Sequence, residues 1–371
     1  DVIEKQVALH QSDEALVLEN GISYTYAALD AIATELSRHI AHCISQLGDL
    51  DMGDNNTPLV TVIMNRGVGI AATFLAILKA GCAYVPVDPS FPPNRQSYIM
   101  KQSRSHLLII DPENMLLAQS LGVDMPPTLV VDGGTGAPSP EHAPLFPLPE
   151  DGFAAADAKL LVDRAAAQER PQGGLAYILF TSGSTGNPKG CVAHNQSCLS
   201  QLQAFGAQLS VKAPKPGDSR SHRVLGLATF SFDISVLELF LPLVHGTTSL
   251  MAFSSTQRDS FRLKEILDTM QIDVMQATPT TYEMLLAVGW KGRDDIQLLV
   301  GGEAFRPSLL PLVQNCHSTF NIYGPTETTM WASTYLVPKD IQTLNPTVHG
   351  VSCGQPLPGV KFYIANKEDY T

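Results

Sequence analysis

Short, continuous apolar runs alternate with helix-patterned segments, and this rhythm restricts the chain to few folds. "PLVTVIM" (58–64) reads as a buried strand, "GVGIAATFLAILKAG" (67–81) as a helix stopped by Gly81, and "CAYVPV" (82–87) as a strand. "NRQSYIMKQS" (94–103) reads as a helix, followed by strands "HLLII" (106–110) and "TLVVD" (128–132). Strands buried on both faces lose the polar alternation of a half-exposed sheet, so this β-α-β-α-β order predicts a parallel sheet covered by helices. A second such block follows. Strands are expected at 223–229, 247–253, 272–277, 296–300 and 318–323, and helices near 235–245, 261–270, 280–288 and 307–315. The late "VKFYIAN" (360–366) reads as a strand that begins a further β element. The class is α/β with two lobes of largely parallel sheet flanked by helices. Lobe 1 takes about 1–132 plus 175–200, and lobe 2 about 201–350. Between the blocks, 133–174 is rich in Pro, Ala, Gly and acid, and reads as a low-complexity connection. In such folds, candidate site loops lie at the carboxyl ends of the strands.

Composition narrows the partners. The net charge of −12 argues against nonspecific nucleic-acid binding. Six cysteines show no CxxC pair, which reads as free thiols in a reducing compartment rather than zinc ligands. The first residues, "DVIEKQVALH", lack a signal peptide's basic flank and apolar core. The longest apolar run falls short of the roughly 20 residues of a membrane helix. A cytoplasmic location and no membrane partner are expected.

The stretch "YILFTSGSTGNPKG" (177–190) passes from a strand into a loop that suits an anion. Gly183, Gly186 and Gly190 let backbone approach closely; Thr181, Ser182, Ser184 and Thr185 add hydroxyls, and Lys189 adds charge. A Walker A loop needs Gly-Lys-[Ser/Thr], whereas Lys189 lies between Pro188 and Gly190. Taken alone, the same residues also describe a flexible Gly/Ser surface turn.

The order of residues takes the reading further. "TSGSTGNPKG" resembles the signature loop of the adenylate-forming enzymes: acyl-CoA synthetases, luciferases and the adenylation domains of nonribosomal peptide synthetases. "LKAGCAYVPVDPSFPPNR" (78–95), "FSFDISVLE" (230–238), "NIYGPTETT" (321–329) and "GQPLPGV" (354–360) resemble core motifs of the peptide-synthetase domains, in the family's order, and "ISYTYAALD" (22–30) is similar to the first. The resemblance spans nearly the whole chain and implies the family's large N-terminal domain, with two stacked lobes, over 1–371.

The resemblance implies attack of a substrate carboxylate on the α-phosphorus of ATP, giving an acyl-adenylate and pyrophosphate. Thr181 to Lys189 would clamp the β- and γ-phosphates, and Glu327 would help hold Mg²⁺, a hard ion suited to carboxylate and phosphate oxygens. Thr326 would donate to the α-phosphate. Asn321, Tyr323 and Gly324 would face the adenine, with Gly302, Glu303 and Ala304 as its floor.

Asp233 carries the most information. Ser235 and Glu238 fit an S-x-x-E capping box, which would leave Asp233 unneeded as a helix cap. It sits between Phe232 and Ile234, where a bare carboxylate is costly to bury, and a substrate ammonium would compensate it. The resemblance implies that role: the family's aspartate here binds the α-amino group of an amino acid. The other implied pocket positions are Ile234, Leu237, Gln276, Leu299, Gly301, Ile322, Met330 and Trp331. They are apolar apart from one amide, with no Arg, Lys or second carboxylate, so a neutral side chain of medium to large size is expected. A proteinogenic apolar residue fits, as does an acylated hydroxyornithine of a siderophore. Gly301 would create room, and Trp331 and Met330 would remove it.

The family's small C-terminal domain brings a catalytic lysine, and its hinge a ribose-binding aspartate. Neither occurs before Thr371, so this piece alone is expected to adenylate poorly. Carrier domains bearing phosphopantetheine and condensation domains are the implied partners. An acyl- or aryl-CoA ligase and a non-catalytic nucleotide- or substrate-binding remnant remain alternatives. Asp233 disfavours the first.

Overall fold

The computed structural model describes residues 2–48, 56–134, 174–181, 187–214, 220–340 and 350–364. Elements are numbered here in chain order. Helix α1 (Val2–Leu9), strands β1 (Glu14–Leu18) and β2 (Ser23–Thr25) and the long helix α2 (Tyr26–Gln46) come first. β3 (Leu59–Ile63), α3 (Val68–Lys79), β4 (Ala83–Pro86), α4 (Pro93–Ser103), β5 (Leu107–Ile110), α5 (Met115–Ser120) and β6 (Thr128–Val130) form the first alternating block. A hairpin, β7 (Leu175–Thr181) and β8 (Lys189–His194), leads into α6 (Asn195–Gln208). The second block runs β9 (Arg223–Gly226), α7 (Ile234–Val244), β10 (Thr248–Met251), α8 (Ser260–Thr269), β11 (Val274–Ala277), α9 (Pro279–Ala287), β12 (Gln297–Val300), α10 (Leu310–Asn315) and β13 (Ser318–Tyr323). β14 (Ser333–Leu336) and β15 (Gln355–Pro356) complete it.

These strands build two sheets. One has the order β6-β5-β3-β4-β7-β8 and is parallel except for its edge strand β8. The other has the order β15-β14-β13-β12-β11-β9-β10-β1-β2, parallel from β13 through β1 and antiparallel at β2, β14 and β15. The α/β class with largely parallel, helix-flanked sheets is as expected.

Two helices are apolar all round, the mark of a buried helix. Every residue of α3 from Val68 to Ile77 and every residue of α7 from Ser235 to Val244 is buried. One core cluster joins them to Val60, Tyr84 and Tyr177 of one sheet and to Leu16, Val224 and Leu299 of the other. α3 ends at the predicted glycine. Gly81 adopts φ 75°, its N–H reaches the Leu78 carbonyl, and the Cys82 N–H reaches that of Ile77, a Schellman stop that returns the chain into β4.

Two expectations need correction. Residues 14–25 leave lobe 1 for the other sheet, because β1 pairs in parallel with β10, Leu16 opposite Ser249. A pairing so distant along the chain leaves no local trace. Lys361–Ile364, read as the start of a strand, forms none; Tyr363 and Ile364 are exposed, and a β-prone stretch without a partner edge gains no ladder. Of the low-complexity connection, 135–173 lies outside the described residues. No helix among the described residues is long and apolar enough to cross a membrane.

Candidate functional site

β9, β11, β12 and β13 run in one direction, so their carboxyl ends share one edge of their sheet. Loops leaving that edge carry Asp233, Gly301 to Ala304 and the Gly324 to Thr329 turn. The β7–β8 hairpin approaches from the other sheet. Thr181 stands opposite exposed Lys189 at its tip, and β8 packs beside the Thr326–Thr328 turn. Ser182, Gly183, Ser184, Thr185 and Gly186 lie outside the described residues.

Specific hydrogen bonds tie the turn to β7 and α6. The Tyr177 hydroxyl donates to the Thr329 carbonyl at 2.7 Å, and the Gln201 amide donates to the Thr328 carbonyl at 2.7 Å. Thr329 has φ 87° and ψ −69°, a γ-turn conformation that a β-branched residue holds only when its surroundings impose it. The exposed Glu327 carboxylate and the Thr326 hydroxyl are presented from this turn.

Asp233 is 7% exposed. Burial pushes its carboxyl up to about 6; hydrogen bonds from Thr326 and from the Ile234 N–H oppose that, and the nearby Glu327 charge adds to it. No cation pairs with it among the described residues. The expected capping box is absent. The Ser235 hydroxyl donates backward to the Phe232 carbonyl at 2.6 Å. Glu238 is buried, and its carboxylate accepts from the backbone N–H groups of Leu227 and Ala228 at 2.7 and 2.8 Å. Glu238 is a tertiary anchor for the β9 exit loop, which a local pattern match does not distinguish from a cap. Burial raises its carboxyl to about 7, against the pull of the Arg66 charge.

On the far side, Tyr323 ends β13 with its ring half exposed, and Gly302, Glu303 and Ala304 follow the adjacent β12, all exposed. Glu303 accepts from Thr280 at 2.9 Å and pairs with Arg306. Asn321 is buried, and its amide donates to the Ser352 carbonyl at 2.8 Å. A Cβ on Gly324 would lie 2.5 Å from the Trp331 Cα, so only glycine lets that turn pass beside the strand.

The expected pocket positions come together, but closed. Leu237, Gln276, Leu299, Gly301, Ile322, Met330 and Trp331 are buried, and Ile234 is partly so. The Gln276 amide is spent: Nε2 donates to the Ile234 carbonyl at 2.9 Å and to Glu238 at 3.2 Å, and Oε1 accepts from the Trp331 indole N–H at 2.8 Å. Gly301 opens no room. A Cβ there would lie 2.6 Å from both Ile322 Cγ1 and Trp331 Cη2. The lack of a side chain is already filled by the indole. A cavity of about 440 Å³ is lined by Arg66, Asp88, Phe230 and Ser231, and by none of these pocket positions.

The model of the AMP-binding enzymes matches residues 3–370. The chain belongs to this family. Among relatives of this AMP-binding enzyme, the dimodular nonribosomal peptide synthase of Bacillus subtilis is 31% identical over 98% of the chain, and tyrocidine synthase 3 of Brevibacillus parabrevis 28% over 98%. The chain spans only 14% and 5% of their lengths. A crystal structure of a four-domain nonribosomal peptide synthetase bound to AMP and glycine matches 96% of the chain and 23% of its own, with TM-score 0.72 and 26% identity. The resemblance to peptide-synthetase adenylation domains is thus borne out.

The AMP-binding enzyme's polar groups suit Mg²⁺ only together with a nucleotide. Among the described residues no three His, Cys, Asp or Glu gather as a metal site. Mg²⁺ often uses one or two carboxylates plus substrate phosphates, and exposed Glu327 fits that pattern. Sequence reasoning missed Tyr177, Gln201 and Glu238 as positioning residues. Tyr177 opens the very stretch that carries the loop, but nothing local marks its hydroxyl as a partner of Thr329.

Proposed function

We propose that this AMP-binding enzyme activates an amino acid with ATP for nonribosomal peptide synthesis. The amino acid's carboxylate oxygen attacks the α-phosphorus, the bond to the bridging oxygen breaks, and pyrophosphate leaves as aminoacyl-adenylate forms. The observation that carries this reading is Asp233, a buried carboxylate with no cation paired to it among the described residues, next to the Thr326–Glu327 turn. A substrate ammonium at Asp233 would neutralise the buried charge and fix the carboxylate near that turn.

The roles are those the motif resemblance implies. Thr181 to Lys189 clamps the β- and γ-phosphates. With a substrate ammonium taking its place at Asp233, the Thr326 hydroxyl would turn to donate to the α-phosphate, and Glu327 would hold Mg²⁺, which would neutralise phosphate charge. Tyr323 stacks on the adenine above Gly302, Glu303 and Ala304, and Gly324 lets the turn approach. Asn321, whose amide donates to Ser352, orders the adenine side. The AMP-bound relative supports the nucleotide, and its glycine supports an amino acid as second substrate. The adenylate would pass to the phosphopantetheine thiol of a carrier domain, with condensation domains as neighbours, as in the multidomain relatives. The apolar lining favours a neutral amino acid.

The test is ATP–pyrophosphate exchange by the full-length protein with amino acids and with the matching acids lacking the amine. Exchange that needs the amine is expected. Equal exchange with the deaminated acids would assign the site to an acyl- or aryl-CoA ligase instead.

A further inference from the structure

We infer that Arg66 and Asp88, which follow β3 and β4 of the six-stranded sheet, are positioning residues that set where Asp233 stands, a role that rests on amino-acid activation at Asp233. Asp233 lies at the end of the loop between β9 and α7, and β9 belongs to the other sheet. The Arg66 guanidinium spans three carbonyls of that sheet's strand exits. Nη2 donates to Gly226 at 2.7 Å, Nη1 donates to Ala228, and Nε donates to Ala252, just past β10, at 2.6 Å. The guanidinium carbon also stands 4.6 Å from the centroid of the Phe230 ring. Burial lowers Arg66 to about 10, against the charges of Glu238, Asp88 and Glu19, so it stays a cation at neutral pH. Glu238 takes the N–H groups of Leu227 and Ala228, so the segment is gripped at its carbonyls by Arg66 and at its amides by α7.

Asp88 holds the next residue. The Thr229 hydroxyl donates to one Asp88 oxygen, and the other oxygen accepts the Ser90 N–H at 2.8 Å. The Thr229 carbonyl accepts the Phe232 N–H at 3.0 Å, and Asp233 follows directly. These bonds decide the loop's place because it has open space beside it. Arg66, Asp88, Thr229, Phe230 and Ser231 all line the cavity of about 440 Å³. A loop packed on every side is held by contact, whereas one that borders a cavity is held on that side by its hydrogen bonds. A planar fork on three carbonyls has one arrangement, and the single nitrogen of a lysine cannot reproduce it. A loop released toward the cavity would carry the Asp233 carboxylate away from the Thr326–Glu327 turn.

Pyrophosphate exchange by the full-length protein tests this, with a panel of proteinogenic amino acids for wild type and the best of them for the variants. Thr229→Val should lower kcat/KM for the amino acid by at least about tenfold, toward the roughly hundredfold scale of a misplacement of about 1 Å, while KM for ATP changes by less than about twofold. Thr229→Ser keeps the hydroxyl and should restore most of the loss. Arg66→Lys should show the same split between amino acid and ATP, because the charge remains and the fork is lost. Thermal melting and ATP binding report whether each variant folds; if Arg66→Lys does not, the Thr229 pair decides. Equal losses for amino acid and ATP, or a lower melting temperature with unchanged kinetics, overturn the positioning role and leave amino-acid activation standing. Wild-type exchange with no amino acid of the panel, or equal exchange with the deaminated acids, removes amino-acid activation and this role together.

Discussion

Asp233→Asn should make the protein more stable and a worse enzyme, and the pH dependence should say why. Burial raises the native carboxyl from 3.8 to about 6. Between those values the native state holds a proton that the unfolded chain has released, so stability falls as pH rises through that window. Above pH about 6 the full penalty applies. At roughly 1.4 kcal/mol for each pH unit, the shift corresponds to about 3 kcal/mol as an upper bound. Asparagine carries no charge and still accepts one hydrogen bond, so part of that bound should return as stability. Thermal melts at pH 8 should show Asp233→Asn several degrees above wild type, at about 2–4 °C per kcal/mol. At pH 4.5 the gain should shrink to about a third, and it should vanish only below pH 3.8, where the unfolded carboxyl is protonated too. Amino-acid activation should fall at least about tenfold, since a charge-assisted hydrogen bond is worth roughly 1.5–3 kcal/mol. Wild-type activation should likewise decline as pH drops below about 6 and Asp233 loses its charge. A variant less stable than wild type at pH 8 would refute the reasoning, because Asp233 would then be a structural partner rather than a carboxylate kept for a ligand.

Gly301→Ala should destabilise by about 1–3 kcal/mol in urea titration, because its Cβ would stand 2.6 Å from Ile322 and Trp331. Adding Trp331→Ala should recover part of that loss, and strict additivity would contradict the contact. Tyr177→Phe removes the 2.7 Å bond to the Thr329 carbonyl and should cost about 1–3 kcal/mol in stability, with pyrophosphate exchange reduced as the turn loosens. Unchanged exchange would show that the bond is not what positions the turn. Glu327→Gln should melt like wild type, since Glu327 is exposed, but should need more Mg²⁺ to reach half-maximal exchange. An unchanged Mg²⁺ titration would remove Glu327 from the metal site.

The strands of both alternating blocks were legible because continuous apolar runs between helix-period segments have few other solutions. The lobe assignment of residues 14–25 was not. β1 has an ordinary apolar pattern, and only its pairing with β10 places it. Glu238 shows a different failure: its spacing from Ser235 matches a cap, while its carboxylate serves the exit of β9. "VKFYIAN" has strand composition, yet its described residues find no edge to join.

Residue type and motif order brought the candidate site together, but not which polar groups are already used. Gln276, Asn321 and Glu303 read in sequence as groups facing a ligand, and each is bonded within the protein. Tyr323, Glu327 and Lys189 are exposed, and Asp233 is buried with no cation paired to it among the described residues. The bonded set fixes geometry, since a buried and fully satisfied network admits few arrangements. The second set is what the proposed chemistry would use. The division explains why the pocket read as roomy from sequence. Gly301 reads in sequence as space and Gln276 as the one amide of the lining, but the 2.8 Å bond from the Trp331 indole to Gln276 makes both supports for the ring. A substitution at Gln276 should therefore loosen the indole and the Ile234 carbonyl together, and a lowered melting temperature is the measurement that checks it.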